Sequence, residues 1–505
     1  MLAIVPSAVV EGVQGHPVSV EVHIGRGLPS FSIVGLPDTS VREARDRVRA
    51  AVMSAKFEWP DLKTVVSLAP SELPKHGASL DLAIALGVLV ASDQLKPRDV
   101  EGLGAVGELG LDGSIRRVPG LLSLAAAVDA SEVVVPTSGA PEAALGRPGE
   151  VRAASDLRSL VEGLRGVAPP PPLVEPSDAP LPMVGGPDLS QVRGQPLARF
   201  ALEIAAAGGH HLLMVGPPGA GKTMLASRLV GLLPPLNQAD ALAVTQIHSV
   251  AGLALPPGGL VRRPPFRAPH HGASAVAIVG GGGPGIRPGE ISCAHGGVLF
   301  LDELGEFPST VLESLRQPLE DGEIRISRSR RSAALPARFQ LVAAMNPCPC
   351  GQGGPTGECR CTPGARDRYV RKLSAPLLDR FDLTIELSVP DPLSLLDAGR
   401  EESTEAVAAR VARARELAAT RAVDANAQIG IDRLDEVAPL SPAARRLLEH
   451  CLEGGTLSGR GLRRVRTVAR TIADLGEGEH VIDDDTIAQA LAIRATPQSV
   501  LGGVV

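Results

Sequence analysis

The chain is 505 residues long, 44% hydrophobic and 21% charged, with a formal net charge of −6; that is apolar material for roughly two to four packed domains, without the global basic field of a protein that coats nucleic acid. Aromatic residues make up 2%, which excludes a stacking platform for single-stranded bases, since that needs several exposed rings. The opening MLAIVPSAVVEGV has no basic n-region, and no apolar run reaches ~18 residues, so a cytoplasmic protein without a membrane partner is expected.

Residues 1–165 read as one α+β unit. VSVEVHI (18–24) alternates as a half-buried strand does, and FSIVGL (31–36) is a second strand candidate. Asp38 or Thr39 is placed to cap a helix over 41–55. A strand follows at 64–70 and an apolar helix at 79–92. Strand signals return in GAVGELGLDG, a helix is expected near 120–130, and EVVVP (132–136) closes the series. Residues 166–187, containing APPPPLVEPSDAPLP, predict a semi-extended, proline-rich linker with no regular element.

Residues 188–392 predict an α/β core, with strands alternating with helices around a parallel sheet. The apolar run His211–Val215 is a buried strand. It leads into Gly216-Pro217-Pro218-Gly219-Ala220-Gly221-Lys222-Thr223, which fits G-x-x-x-x-G-K-[ST] between a strand and a helix. Glycines let consecutive backbone N–H groups curl around phosphate oxygens, and the helix N-terminus adds partial positive charge. Lys222 is placed for the β- and γ-phosphates of ATP and the Thr223 hydroxyl for Mg²⁺. VLFLDE (298–303) is a second strand, delivering Asp302 towards the Mg²⁺ sphere and Glu303 towards the attacking water. A helix is expected over 308–321, then a basic hairpin-like stretch, then FQLVAAMN (339–346). Asn346 at that strand's end would face the crevice and orient water, or simply end the strand in an Asn-Pro turn. Arg380, in LLDRFDL, stands where an arginine finger for a neighbouring subunit would be needed, although a lone arginine on a helix is usually solvated. The last strand of this unit is TIELSVP (384–390).

Residues 393–505 predict a helical C-terminal subdomain, with helices over 402–421, 441–453, 459–475 and 484–494. Arg460 opens the third of these and is a second phosphate-sensing candidate, crowded by Arg463, Arg464 and Arg466.

Two clusters stand apart from the nucleotide motifs. Six cysteines in so long a chain are not a disulfide framework, yet Cys348, Cys350, Cys359 and Cys361 form C-x-C, eight residues, C-x-C. Four thiolates in one loop suit tetrahedral Zn²⁺ as a structural clip, although reduced, inert thiols are the alternative. The stretch EIRISRSRRSAALPARFQ carries Arg325, Arg328, Arg330 and Arg331, which would hold phosphates without reading sequence, or form a solvated charged hairpin. His270 and His271 are candidate metal ligands or loop-packing residues.

Together GGHHLLMVGPPGAGKTMLA, QIHSVAGL, PFRAPHHGAS, GEISCAHGGVLFLDELGEF, LRQPLEDGEIRISR and LVAAMNPCPCG resemble the YifB/ComM family of magnesium-chelatase-like AAA+ ATPases along essentially the whole chain. The resemblance implies a hexameric ring, a C-terminal helical lid, and kinship with chelatase motors and replicative helicases. It implies DNA branch migration in recombination or natural transformation. By it Asn346 matches sensor 1, Arg380 the arginine finger and Arg460 sensor 2, and the arginine hairpin points into the ring pore towards DNA.

The N-terminal unit is similar to the Lon-type protease domain. Its segment Pro74-Lys75-His76-Gly77-Ala78-Ser79-Leu80-Asp81 places Ser79 at the nucleophile position, but Pro119-Gly120-Leu121-Leu122-Ser123-Leu124 places Leu122 where the lysine base would stand. A serine without a positioned base is a poor nucleophile. No peptidase activity is therefore expected, and Ser79 is read as the cap of the helix after it. The rival readings are a chelatase-like ATPase that remodels a protein partner in metal insertion or cofactor assembly, an ATP-dependent protease, and a nucleotide-dependent scaffold without turnover.

Overall fold

The computed structural model describes residues 1–176, 186–282, 285–328, 331–352, 359–393, 401–476 and 480–494. The chain opens on a long hairpin, β1 (Leu2–Glu11) and β2 (Gln14–Gly25), followed by β3 (Ser30–Val34), the helix Thr39–Ser54 and β4 (Lys63–Ala69). These strands form a sheet in the order β1-β2-β4-β3, antiparallel except for the parallel β3–β4 pair. β1 is absent from the sequence reading because its PSAVVE half does not alternate, being buried on both faces. Asp38 is the cap of the first helix, accepting from the Val41 N–H at 2.8 Å.

Ser79 does not cap the next helix. That helix spans Asp81–Ala91, its N-cap is Leu80, and the Ser79 hydroxyl instead donates to Ala8 O at 3.2 Å. Every residue of the helix is buried, because it is sandwiched between the first sheet and β5 (Leu103–Ala105) with the small hairpin β6 (Glu108–Leu109) and β7 (Ile115–Arg116). β5 pairs with β8 (Glu132–Pro136), which pairs with β9 (Val151–Ala154), all parallel. The proline-rich stretch starts as part of this unit: Ala153 N–H donates to Pro172 O and Val174 N–H to Val151 O, so residues 172–174 lie along β9. Prolines are tolerated on such an edge, where their missing N–H costs no ladder bond. The remainder of the expected linker, 177–185, lies outside the described residues.

The second sheet is fully parallel, in the order β11 (Phe266–Arg267), β12 (Val298–Leu301), β15 (Gln340–Met345), β10 (Leu212–Val215), β16 (Leu383–Glu386). Its strands read as apolar runs because both faces are covered. On one face Leu212, Met214, Phe300, Val342 and Ala344 pack with the helices Pro196–Gly208, Lys222–Leu232, Thr404–Ala419 and Gly459–Leu475. On the other, Leu213, Val215, Leu299, Leu301, Ala343 and Met345 meet Ile247, Ile278, Ile291 and Phe307. Each such side chain contributes ~1.5–3 kcal/mol when fully buried. The helix expected over 308–321 is two helices, Ser309–Ser314 and Arg316–Asp321, since Pro318 has no N–H to continue the first. A separate hairpin follows, β13 (Glu323–Arg328) with β14 (Arg331–Pro336).

The two units are joined by a buried polar cluster. The Glu142 carboxylate accepts from Arg117 at 2.7 Å, from the Leu122 N–H at 3.1 Å and from the Ser249 hydroxyl, and Ser249 in turn accepts from the Gly120 N–H at 2.9 Å. Gln246 donates to Val13 O and to Ser123. Thus the segment carrying Leu122 is seated on the core helix Gln238–Ala251. No helix among the described residues is long and apolar enough to cross a membrane.

Candidate nucleotide-binding site

β10, β12 and β15 end side by side, and ligands of open α/β sheets bind at that carboxyl edge. The turn after β10 needs left-handed backbone at Gly219 (φ +84°) and Gly221 (φ +87°), conformations that a Cβ penalises. The helix then begins at Lys222 with Gly221 as its N-cap and no side chain on its first N–H groups. Those donors are left for an anion. The cleft above them measures about 370 Å³ and is lined by Pro218, Gly219, Gly221, Lys222, Thr223, Asp302, Glu303 and Asn346, among others.

The polar side chains of the cleft are held by partners. Lys222 Nζ donates to Gly216 O at 2.6 Å, Pro217 O at 2.9 Å and Asn346 Oδ1 at 3.0 Å. Burial lowers its ammonium below the ordinary value, opposed by the Asp302 and Glu303 carboxylates. The Thr223 hydroxyl donates to Asp302 Oδ2 at 2.6 Å, bringing together the two groups suited to Mg²⁺ from motifs 79 residues apart. A magnesium ion bound there would neutralise phosphate charge, and the hydroxyl–carboxylate pair fits such an ion.

Glu303 sits in left-handed backbone (φ +54°), a conformation that costs of order 1–3 kcal/mol in a residue other than glycine. It turns its carboxylate towards the loop after β11, where His271 Nδ1 lies 3.0 Å from Glu303 Oε2. The two histidine rings of that loop are 4.1 Å apart, and His270 Nδ1 accepts from the Gly272 N–H. His271 therefore belongs beside the general-base candidate, which loop packing alone does not convey. The sequence carried no signal for this contact, because the adjacency of β11 and β12 is set by strand order.

Arg380 and Arg460 do not line the cleft formed by their own chain. Arg380 pairs with Glu320, and burial, then the charges of Arg464, Arg460 and Arg316, push its pKa below the ordinary arginine value. Arg460 is exposed at the start of its helix. Both belong to one cationic patch near the amino end of β16, where Arg464 also reaches Asp382 at 3.3 Å.

Asn346 leads directly into the cysteine loop. Cys348 Sγ lies 3.3 Å from Cys350 Sγ and 3.4 Å from Cys359 Sγ, Cys350 and Cys359 are 3.6 Å apart, and all four sulfurs, including that of Cys361, fall within 4.8 Å of one another. A tetrahedron of thiolates at ~2.3 Å from zinc has edges of about 3.8 Å, so the four residues fit that ion. The Gln352 backbone N–H, first among several donors, brings the Cys350 thiol down to about 6. Of the hairpin arginines, Arg325 pairs with Glu323 at 2.6 Å. The backbones of Arg328 and Arg331 pair in register where β13 meets β14, and Arg330 lies outside the described residues.

Three family models match the chain: magnesium chelatase, subunit ChlI, over residues 188–393; subunit ChlI of Mg-chelatase over 20–138; and the magnesium chelatase subunit ChlI C-terminal region over 401–494. The competence protein ComM of Haemophilus influenzae is 44% identical over 500 residues, covering 98% of this chain and 97% of that protein. YifB of Escherichia coli is 43% identical over 503 residues, with 98% and 97% covered. Lon protease 2 of Bacillus subtilis is similar over a smaller part, 31% identical over 176 residues, 30% of this chain and 31% of that protein. Identity of this extent, together with a phosphate loop, Asp302 and Glu303 gathered on a parallel sheet, places the chain in the YifB/ComM family of magnesium-chelatase-like AAA+ ATPases.

Proposed function

We propose that this protein is a Mg²⁺-dependent ATPase that assembles into a ring, hexameric by its resemblance to the family, and translocates on DNA, driving branch migration or strand processing in recombination or natural transformation. The observation that carries the ATPase is the convergence of Lys222, Thr223, Asp302, Glu303 and Asn346 in one cleft. Lys222 and the phosphate-loop N–H groups bind the phosphates, Thr223 and Asp302 hold Mg²⁺, Asn346 and Glu303 position and deprotonate the attacking water, and Arg380 of a neighbouring subunit stabilises the transferring phosphoryl group. The position of Arg380 outside its own cleft supports action across a subunit boundary, and Arg460 in the same patch would sense phosphate there too. Residues 1–165 would serve as a non-proteolytic Lon-like domain, 188–392 as the ATPase core and 393–505 as its helical lid. The cysteine loop would hold one structural zinc.

DNA as the polymer is supported by the arginine hairpin β13–β14 and by the competence relative. The measurement is ATP turnover and strand displacement on single-stranded, duplex, forked and four-way DNA, with Lys222→Ala as control. Stimulation by at least one DNA, lost in the variant, is expected; absence of stimulation by all of them defeats the DNA motor. The chelatase-subunit description of all three matching models favours, as a second reading, an ATPase that remodels a protein partner in metal insertion or cofactor assembly; it predicts turnover indifferent to DNA.

A further inference from the structure

The cysteine loop lies against two residues that line the nucleotide cleft, Pro218 and Asn346. Its first turn closes through the Gly351 N–H, which donates to Cys348 O at 2.9 Å. There Gly351, at φ +78°, lies so close to the phosphate loop that a Cβ would stand 2.8 Å from Cδ and 2.9 Å from Cγ of Pro218, and 3.8 Å from Asn346 Nδ2. Pro218 and Asn346 both line the cleft. The other end of the cysteine loop enters the helix Pro363–Arg371 immediately after Cys361. From that helix the Tyr369 hydroxyl returns to donate to Asn346 O at 3.3 Å, and its ring packs on Gly305, two residues after Glu303. The helix that follows the cysteines therefore returns, through Tyr369, to the residue from which the cysteine loop departs.

We propose that zinc on Cys348, Cys350, Cys359 and Cys361 pins this loop and thereby fixes Gly351 against the cleft-lining Pro218, so that metal and nucleotide bind with positive coupling. The inference rests on the zinc reading above and adds its consequence for ATP. A metal that clamps four thiolates removes the conformational freedom of the turn at Gly351, which nucleotide binding would otherwise have to order. Coupling of this kind is reciprocal: zinc tightens nucleotide, and nucleotide slows loss of zinc.

The test uses the full chain purified without chelator. Zinc per chain is measured by elemental analysis, and its release rate by mercurial displacement into a colorimetric chelator, with and without Mg-ADP. The affinity for a fluorescent ADP is titrated on zinc-loaded protein and on protein stripped with a chelator that is then dialysed away. One zinc per chain, nucleotide affinity weakened about 5- to 150-fold on stripping and slower zinc release with Mg-ADP support the proposal. Gly351→Ala keeps all four thiolates; it is expected to hold zinc yet bind nucleotide more weakly, a control that stands even if Cys350→Ser fails to fold. Less than stoichiometric zinc in the native protein overturns the metal reading and the inference with it. Stoichiometric zinc with nucleotide affinity and zinc release indifferent to each other overturns the coupling alone.

Discussion

His271 Nδ1 lies 3.0 Å from the carboxylate of Glu303, and the pair joins the loop after β11 to the end of β12. In the proposed site phosphates would displace the contacts of Lys222, and Mg²⁺ those of Thr223, while neither would compete directly for His271. The contact holds to one side the carboxylate proposed to activate water. With side chains 35% and 53% exposed, such a pair contributes ~0.2–1 kcal/mol. His271→Ala is thus expected to raise the basal kcat about 1.4- to 5-fold with KM for ATP unchanged, and His271→Gln, which retains a donor, to stay near the parent. A fall in kcat in steady-state assays contradicts this restraint.

Lys222→Ala and Glu303→Gln are expected to separate binding from chemistry. The first removes the cation proposed to reach the phosphates, so a fluorescent nucleotide should bind weakly or not at all. The second leaves Lys222, Thr223 and the loop N–H groups in place, so nucleotide should bind at near-parental affinity while turnover falls about 10²–10⁴-fold. Equal loss of binding in both variants would show that Glu303 shapes the cleft rather than acting on water.

Arg380→Ala tests the shared site. Its cation lies outside its own chain's cleft, so nucleotide affinity is expected to hold while turnover drops by roughly 10³–10⁵-fold. Mixing Arg380→Ala with Glu303→Gln protein should restore part of the activity, because some subunit boundaries then carry both wild-type residues. No recovery at any mixing ratio would count against action in trans.

Glu142 is 2% exposed and joins Arg117, the Leu122 N–H and Ser249 across the two units. Glu142→Ala leaves buried donors unmatched and is expected to destabilise by about 3 kcal/mol or more. Calorimetry should show the loss as a lower or split transition, with the N-terminal unit separating from the core. An unchanged melting curve would mean the contact carries little of the coupling.

Acid sensitivity follows from three histidines. Burial pushes His211, His248 and His295 below the ordinary value of 6.5. The Nδ1 atoms of His211 and His295 accept backbone N–H bonds from Leu341 and Arg338, at 2.9 and 3.1 Å, and are therefore unprotonated there. With folded pKa values depressed, the unfolded chain binds more protons below about pH 6.5. Their stabilisation is present above that pH and is lost as pH falls towards the folded values. The melting temperature should decline from pH 7.5 to pH 5.5; a flat profile would contradict the assignment of neutral, buried rings.

The sequence by itself determined the parts whose information is local. The phosphate loop is specified by its own glycines and lysine, the parallel sheet by apolar runs such as LLMV and VLFL, and the zinc-fitting spacing by four cysteines within one loop. Element ends were less legible: Pro318 splits one expected helix, and Ser79 turns inward to Ala8 rather than capping, because neighbouring elements compete for its hydroxyl. Contacts between remote segments were decided only by the tertiary structure. Thr223 meets Asp302, Lys222 meets Asn346, and Glu303 turns to His271 because strand order β11-β12-β15-β10 sets four separate chain segments at one sheet edge. Strand order arises from packing both faces of the sheet against helices, and no single window of sequence contains that balance.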